Sequence, residues 1–274
     1  MYRELRTSPW AMASSFWRNR QLIWQMTKRE VIGRYRGSVM GIAWSFFHPV
    51  LMLSVYTFVF SVVFKARWGG GNEESKTQFA VVLFAGMIVH SLFSECLNRA
   101  PGLILSHTNY VKKIIFPLEI LPWVALGSAL FHTLVSIFVL LLFFFALNFY
   151  LHWTLVFLPL VLFPLLLVII GAAWFVASIG VYLRDVGQTI GIITTVLLFL
   201  SPIFYPISAL PPEYRTALLI NPLTFIIEQT RAVVIWGALP NFVGIAWYAA
   251  AGSAVAWTGF LWFQKTRKGF ADVL

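Results

Sequence analysis

Asn109–Pro122 reads "NYVKKIIFPLEILP". Two adjacent lysines, an Asn, a Glu and two prolines stand there between long runs of Leu, Val, Phe and Ile. Upstream, 79–98 is predominantly apolar; downstream the chain runs on through "LPWVALGSALFHTLVSIFVLLLFFFAL". About 20 apolar residues in a row are long enough to cross the hydrocarbon core of a bilayer as a helix. A charged, proline-broken stretch between two such runs therefore reads as a loop at a membrane surface, and the fold follows from it.

Composition agrees. The 274 residues are 59% hydrophobic, 17% aromatic and 11% charged, against about 25% charged in a soluble domain. Apolar windows recur, so the chain reads as an all-α polytopic membrane protein. Six transmembrane helices are drawn at 38–64, 79–98, 119–147, 154–182, 189–205 and 242–263. Pro159 and Pro164 predict a kinked or tilted fourth span, and "SPIFYP" predicts a break at the end of the short fifth. The 12 Trp and 26 Phe fit aromatic belts at the membrane interfaces. The head, residues 1–37, is polar and basic without an early apolar core, so no cleavable signal is expected.

With this layout 15 of the 20 Lys and Arg fall on the side that holds both termini. The positive-inside rule puts that side, with the 264–274 tail, in the cytoplasm. The net charge of +10 is then a topology signal, and nucleic acid is not an expected partner. In the head, Phe16, Trp17, Ile23, Trp24, Val31, Ile32 and Tyr35 recur at helical spacing among Arg18, Arg20, Lys28, Arg29 and Arg36. That pattern suits an amphipathic helix in the membrane interface, and equally a plain topology anchor. Outside, "FKARWGGGNEESKTQ" is a polar loop, and 208–241 contains "NPLTFIIEQTR". There Asn221 is placed to cap a short helix, Pro222 to open it, and Glu228 to pair with Arg231 three residues on.

Several chemistries are missing from the sequence. There is no phosphate-cradling P-loop, no H-E-x-x-H and no G-x-S-x-G. Cys96 is the one cysteine, and His48, His90, His107, His132 and His152 lack ligand spacing, so neither disulfide nor metal is expected. Glu95 and Glu119 lie near span ends, where an ion-coupled carrier would place carboxylates mid-membrane. The body looks built for transport, with no internal energy source in view.

That lack bears on the opening stretch. Asn109–Phe116 can form a turn or two of helix, stopped by Pro117. Such a helix could receive force from a separate motor, its apolar knobs in a groove and its lysines on an acidic rim. A topology-setting basic loop has the same spacing.

Resemblance separates the two. "REVIGRYRGSVMGIAWSFFHPVLMLSVYTFVFS", "YVKKIIFPLEILP", "RDVG", "LSPIFYP", "NPLT" and the tail "FADVL" together resemble the transmembrane permease subunit of ABC exporters for lipid-linked polysaccharide, the Wzm-type O-antigen, capsule and teichoic-acid exporters. The likeness runs in order over nearly the whole chain. It implies a bacterial inner-membrane permease, not itself an enzyme. It implies two copies of the chain with two copies of an ATPase that binds ATP and Mg, and no cofactor here. It implies that Asn109, Tyr110, Val111, Lys112, Lys113, Ile114 and Phe116 form the coupling helix, and that Arg34, Tyr35, Arg36 and Gly37 end the interface helix, to which Trp17, Arg20 and Trp24 of the basic amphipathic stretch would belong. It implies gate helices after Pro206, in which Asn221, Pro222, Glu228 and Arg231 would lie. It also implies an aromatic-lined channel for a lipid-linked glycan, with the first and fifth spans meeting those of the second copy.

The residues of span one agree in part. Trp44, His48, Met52, Tyr56 and Phe60 recur every fourth position, and Ser54, Thr57 and Ser61 suit close helix packing. His48 and Tyr56 carry polar atoms that are costly in lipid without partners. With Phe60, and with Phe199, Phe204 and Tyr205 around the Pro202 break, they are the expected channel lining; packing against helices or lipid is the alternative for each ring. Two other functions compete. A drug exporter would not need a continuous aromatic lining, and a membrane glycosyltransferase or polymerase would group external acids, whereas Glu73, Glu74, Glu213 and Glu228 are dispersed.

Overall fold

The computed structural model describes residues 7–63, 76–111 and 116–274. Every regular element among them is helical. Helix α1 spans Pro9–Arg34, opened by Ser8, whose Oγ accepts from the Ala11 amide at 3.1 Å. Helix α2, Trp44–Tyr56, continues as a π-helical stretch, Thr57–Val63. Then come α3 (Lys76–Arg99), α4 (Thr108–Val111), α5 (Leu121–Asn148) and α6 (Leu158–Tyr182). The chain ends with α7 (Val186–Leu200), α8 (Pro212–Ile220), α9 (Thr224–Val234), α10 (Phe242–Thr266) and α11 (Phe270–Val273).

Among the described residues four helical segments are long and apolar enough to cross a membrane: Gly41–Phe60, Gln78–Gly102, Leu118–Asn148 and Trp153–Tyr182. Helix α10 has the length, 25 residues, but is rich in Ala, Gly and Trp. Helix α7 has 15 residues, about 22 Å at 1.5 Å each, short of the roughly 30 Å core. The drawn fifth span runs to Tyr205, whereas the helix stops at Leu200. Pro202 disfavours helical backbone at the residue before it, and Ser201 is extended, with φ −90° and ψ 150°.

Helix α5 runs opposite to α6 and α10, which run side by side in the same direction. At one end Arg267 pairs with Glu119 at 2.6 Å, and the Tyr182 hydroxyl donates to the Thr266 carbonyl at 2.9 Å. At the other, Thr154 donates to the Val233 carbonyl at 2.6 Å, and Phe157 meets Phe242 at 5.5 Å. The second half of the opening stretch is part of the first end. Leu118, Glu119 and Ile120 are buried. Glu119 accepts from Ser15 of α1 at 3.1 Å, and its carbonyl accepts from the Trp174 indole at 3.0 Å.

Helices α6 and α10 approach most closely through glycine. A Cβ on Gly259 would stand 2.1 Å from the Gly171 carbonyl oxygen, and one on Gly171 2.4 Å from that of Val255. Two members of the small polar stripe of α2 bond within their own helix, the Ser54 and Thr57 hydroxyls donating to the Val50 and Leu53 carbonyls (2.8 and 2.7 Å); the Ser61 side chain lies outside what is described. Helix α3 is the centre of the bundle, with 78% of its most apolar window buried, against 17% for the α2 window.

Candidate functional site

Helix α2 leans on α3 and α5 through Ser45, Pro49 and Leu53, its buried residues. His48 and Tyr56 of the same helix line a cavity of about 500 Å³. Arg34 and Tyr35 from the end of α1, Glu95 of α3 and His132 of α5 line the same space. Arg34 reaches Glu95 at 2.6 Å and His132 at 2.9 Å, and Glu95 lies 3.3 Å from His132. Tyr35 sits 3.0 Å from the other ring nitrogen of His132. Burial raises the Tyr35 hydroxyl above its ordinary pKa, so it stays protonated at neutral pH. Next to this group, Arg99 pairs with Glu30. The network ties the end of α1 to α3 and α5. Sequence reasoning missed it, because Glu95 and His132 stand 37 positions apart; the one available signal was an acid inside an apolar run.

The other expected lining residues meet further along. Phe60 meets Phe79 of α3 at a tilt, 5.6 Å between ring centres, and stacks on Phe204 at 6.0 Å, and Phe204 on Phe199 at 5.9 Å. The Tyr205 hydroxyl donates to the Phe199 carbonyl at 3.0 Å. Five aromatic residues thus join the end of α2 to α3 and to the break after α7, while His48 and Tyr56 belong to the cavity. Phe199 is exposed; Phe60, Phe204 and Tyr205 are half-buried.

The break itself is held by Arg231. Its side chain is 0% exposed and donates to the carbonyls of Val82 (3.0 Å), Pro202 (2.6 Å) and Ile203 (3.2 Å). Glu228 pairs with it at 2.8 Å. The remaining residues of this segment correct a detail. Asn221 does not cap the helix that follows. It ends α8, its Oδ1 accepts from the Leu223 amide at 2.9 Å, and Pro222 precedes a helix that begins at Thr224. The Asn221 amide instead donates to Ser201 at 2.9 Å, so its short side chain ties the segment back to the end of α7.

Of the expected coupling residues, Lys112, Lys113 and Ile114 lie outside the described residues. Helix α4 holds Asn109, Tyr110 and Val111; Asn109 is exposed, the other two half-buried. Tyr110 is sandwiched between His107 (5.5 Å) and Phe116 (4.3 Å), and its hydroxyl accepts from Arg29 of α1 at 3.3 Å. Helix α1 has two apolar faces. Ile23 and Val31 are buried and Phe16 meets Trp123 at 4.6 Å, whereas Trp17 and Trp24 are 67% and 69% exposed. Arg20 lies 5.0 Å over the Trp17 ring. Arg34 is the last residue of α1, Tyr35 ends it, and Arg36 is exposed.

Residues 21–235 match the model of the ABC-2 type transporter family. The chain belongs to that family. This ABC-2 permease is 25% identical over 255 residues to the O-antigen export system permease protein RfbA of Myxococcus xanthus, covering 92% of this chain and 95% of that one. It is 22% identical to RfbA of Klebsiella pneumoniae over 91% and 93% of the two chains. To the polysialic acid transport protein KpsM of Escherichia coli it is 26% identical, over 81% and 84%. An ABC-2 permease is the multi-pass membrane subunit of a transporter, and ATP hydrolysis belongs to a separate subunit.

Proposed function

We propose that this chain is the permease half of an ATP-driven exporter that moves a lipid-linked polysaccharide outward across the bacterial inner membrane. The names of the relatives support polysaccharide as the cargo class. The observation that carries the reading is the aromatic cluster joining α2 to the break after α7. Beside it both helices leave most of their length uncovered. Helix α7 buries only Ile190 and Thr194 among the residues described, and exposes Ile192, Val196 and Phe199. A second copy set against this flank would close a path lined by flat rings. Such rings meet the apolar faces of sugars weakly and repeatedly, which suits sliding.

In this reading α7 and α10 join the four long apolar segments to make six spans, with both termini cytoplasmic. Helix α1, within 1–37, lies in the interface. Residues 109–116 dock on the ATPase, two copies of which bind ATP and Mg. Helices α8 and α9, within 208–241, form the outer gate. Arg231 and Asn221 support that last role, because together they fasten the gate segment to the end of α7.

The test deletes the gene and restores it on a plasmid, measuring glycan at the cell surface and co-purification of the ATPase. Restored glycan that depends on an intact P-loop in the partner is expected. Glycan export that persists without this chain refutes the proposal, as does a chain that binds no ATPase.

A further inference from the structure

A second hollow lies beneath α1, away from the proposed path. It has a volume of about 790 Å³ and runs between α1, α5 and α6. Ile23, Val31, Trp123, Leu130 and Phe163 are among its apolar walls. Helix α5 separates it from the cavity described above: Phe131 and Leu134 face the hollow, His132 and Thr133 the cavity.

Its charged lining consists of two cations, Arg20 and Lys28. Among the described residues neither has a carboxylate partner, whereas Arg34, Arg99, Arg231 and Arg267 each do. Arg20 is held in place, donating to the Trp17 carbonyl at 2.9 Å. Arg20 and Lys28 are eight residues apart, roughly 12 Å along the helix, on an interface-lying surface. Between them in sequence Thr27 reaches the floor of the hollow. It is 8% exposed, and its hydroxyl has no hydrogen-bond partner. Gly127 keeps the space opposite, since a Cβ there would stand 2.8 Å from the Thr27 oxygen.

The depth is informative. Along α5 the lining runs from Trp123 to Leu134, about 16 Å at 1.5 Å per residue. That is close to half of a hydrocarbon core of roughly 30 Å, the length available to an acyl chain in one leaflet. An apolar trough one leaflet deep, lined also by two cations without carboxylate partners, matches the layout of an anionic lipid.

We infer that the α1–α5–α6 groove holds one anionic glycerophospholipid of the surrounding bilayer. Its phosphate lies between Arg20 and Lys28, and an acyl chain lies along α5 and α6. The bound lipid fastens α1 to the bundle from the membrane side. None of this depends on the exported cargo.

The test uses the whole transporter, permease with ATPase, in detergent and read by native mass spectrometry. The probes are palmitoyl-oleoyl phosphatidylglycerol and its phosphatidylcholine counterpart. Phosphatidylglycerol is expected to stay bound, one per permease copy, in clear preference. Arg20→Gln with Lys28→Gln should reduce that preference by roughly 30-fold, as expected for two cations beside an anionic headgroup. Arg20→Lys with Lys28→Arg should retain it, showing that charge and not a damaged fold is read. Leu130→Trp, which fills the trough and leaves both cations, should lower the binding of both lipids. Equal binding of the two lipids, or an undiminished preference in the double Gln variant, overturns the assignment. Displacement of phosphatidylglycerol by a polyprenyl phosphate at lower concentration also overturns it, and points to the carrier lipid instead.

Discussion

Arg231 offers the sharpest test of how the outer segment is held. Replacing it with Leu keeps much of the volume and removes every donor. Three carbonyls, those of Val82, Pro202 and Ile203, then lose the guanidinium that now reaches them within 3.2 Å. Each buried acceptor left unpaired costs about 1–3 kcal/mol. Breaking a buried charged pair by removing one partner costs about 3–5 kcal/mol. Glu228 is 38% exposed and can turn to water, which removes most of the second cost; three carbonyls at the first figure give about 3–9 kcal/mol, and the helical bond that the Val82 carbonyl keeps within α3 puts the loss in the lower part of that range, about 3–5 kcal/mol. At roughly 2 °C per kcal/mol for a chain of this size, Arg231→Leu should lower the melting temperature of the purified permease by about 6–10 °C. Glu228→Gln should cost under about 1 kcal/mol, because a solvent-accessible partner contributes little. Since Pro202 and Ile203 precede Phe204, freeing them loosens the aromatic cluster, and ion leak through cells expressing the Leu variant should rise. Thermal melts with fluorescent detection and a conductance assay read the two effects. An unchanged melting temperature in Arg231→Leu would refute the reasoning outright.

Lys112→Glu with Lys113→Glu should leave the permease inserted and abundant while export fails and the ATPase no longer co-purifies; a fully bound, exporting variant removes the coupling role from 109–116. Tyr56→Ala, at the cavity wall, should leave the amount of protein unchanged while export slows. Phe60→Ala loses the ring contacts with both Phe79 and Phe204, so stability should fall, by less than the ~3–5 kcal/mol of a fully buried ring, and the protein level with it; equal losses of protein and export in both variants would mean that the rings hold the fold and do not line a path. Gly259→Val places a side chain on the Gly171 backbone, and well above the about 1–3 kcal/mol of ordinary overpacking is expected. A Gly259→Val protein that melts with the unsubstituted one would show that α6 and α10 do not cross as described.

What the sequence determined by itself is the class of the protein and the rhythm of its helices. Long apolar runs such as 121–147, punctuated by charge and proline, admit few structures in lipid other than helices, because backbone groups have no water to bind there. Proline before or inside a helix acts locally, so the stop near Pro202 and the proline within α6 were legible, to within a few residues. The Glu228–Arg231 pair was legible for the same reason, being three residues apart on one helix. The tertiary structure alone decided what those residues are for. Nothing near Arg231 in the chain announces that its guanidinium reaches the carbonyls of Val82, Pro202 and Ile203. Hydropathy could not say that Phe16 and Ile23 pack on the bundle while Trp17 and Trp24 face outward, since all four are equally apolar by periodicity. Glu95 and His132 meet Arg34 only because α1, α3 and α5 converge, and Gly171 meets Gly259 only because α6 and α10 cross there. In a membrane almost every helix face is apolar, so burial against protein and burial against lipid look alike in sequence. Which face meets which is set by non-local polar pairs and close backbone contacts, and these exist only once the helices have been brought together.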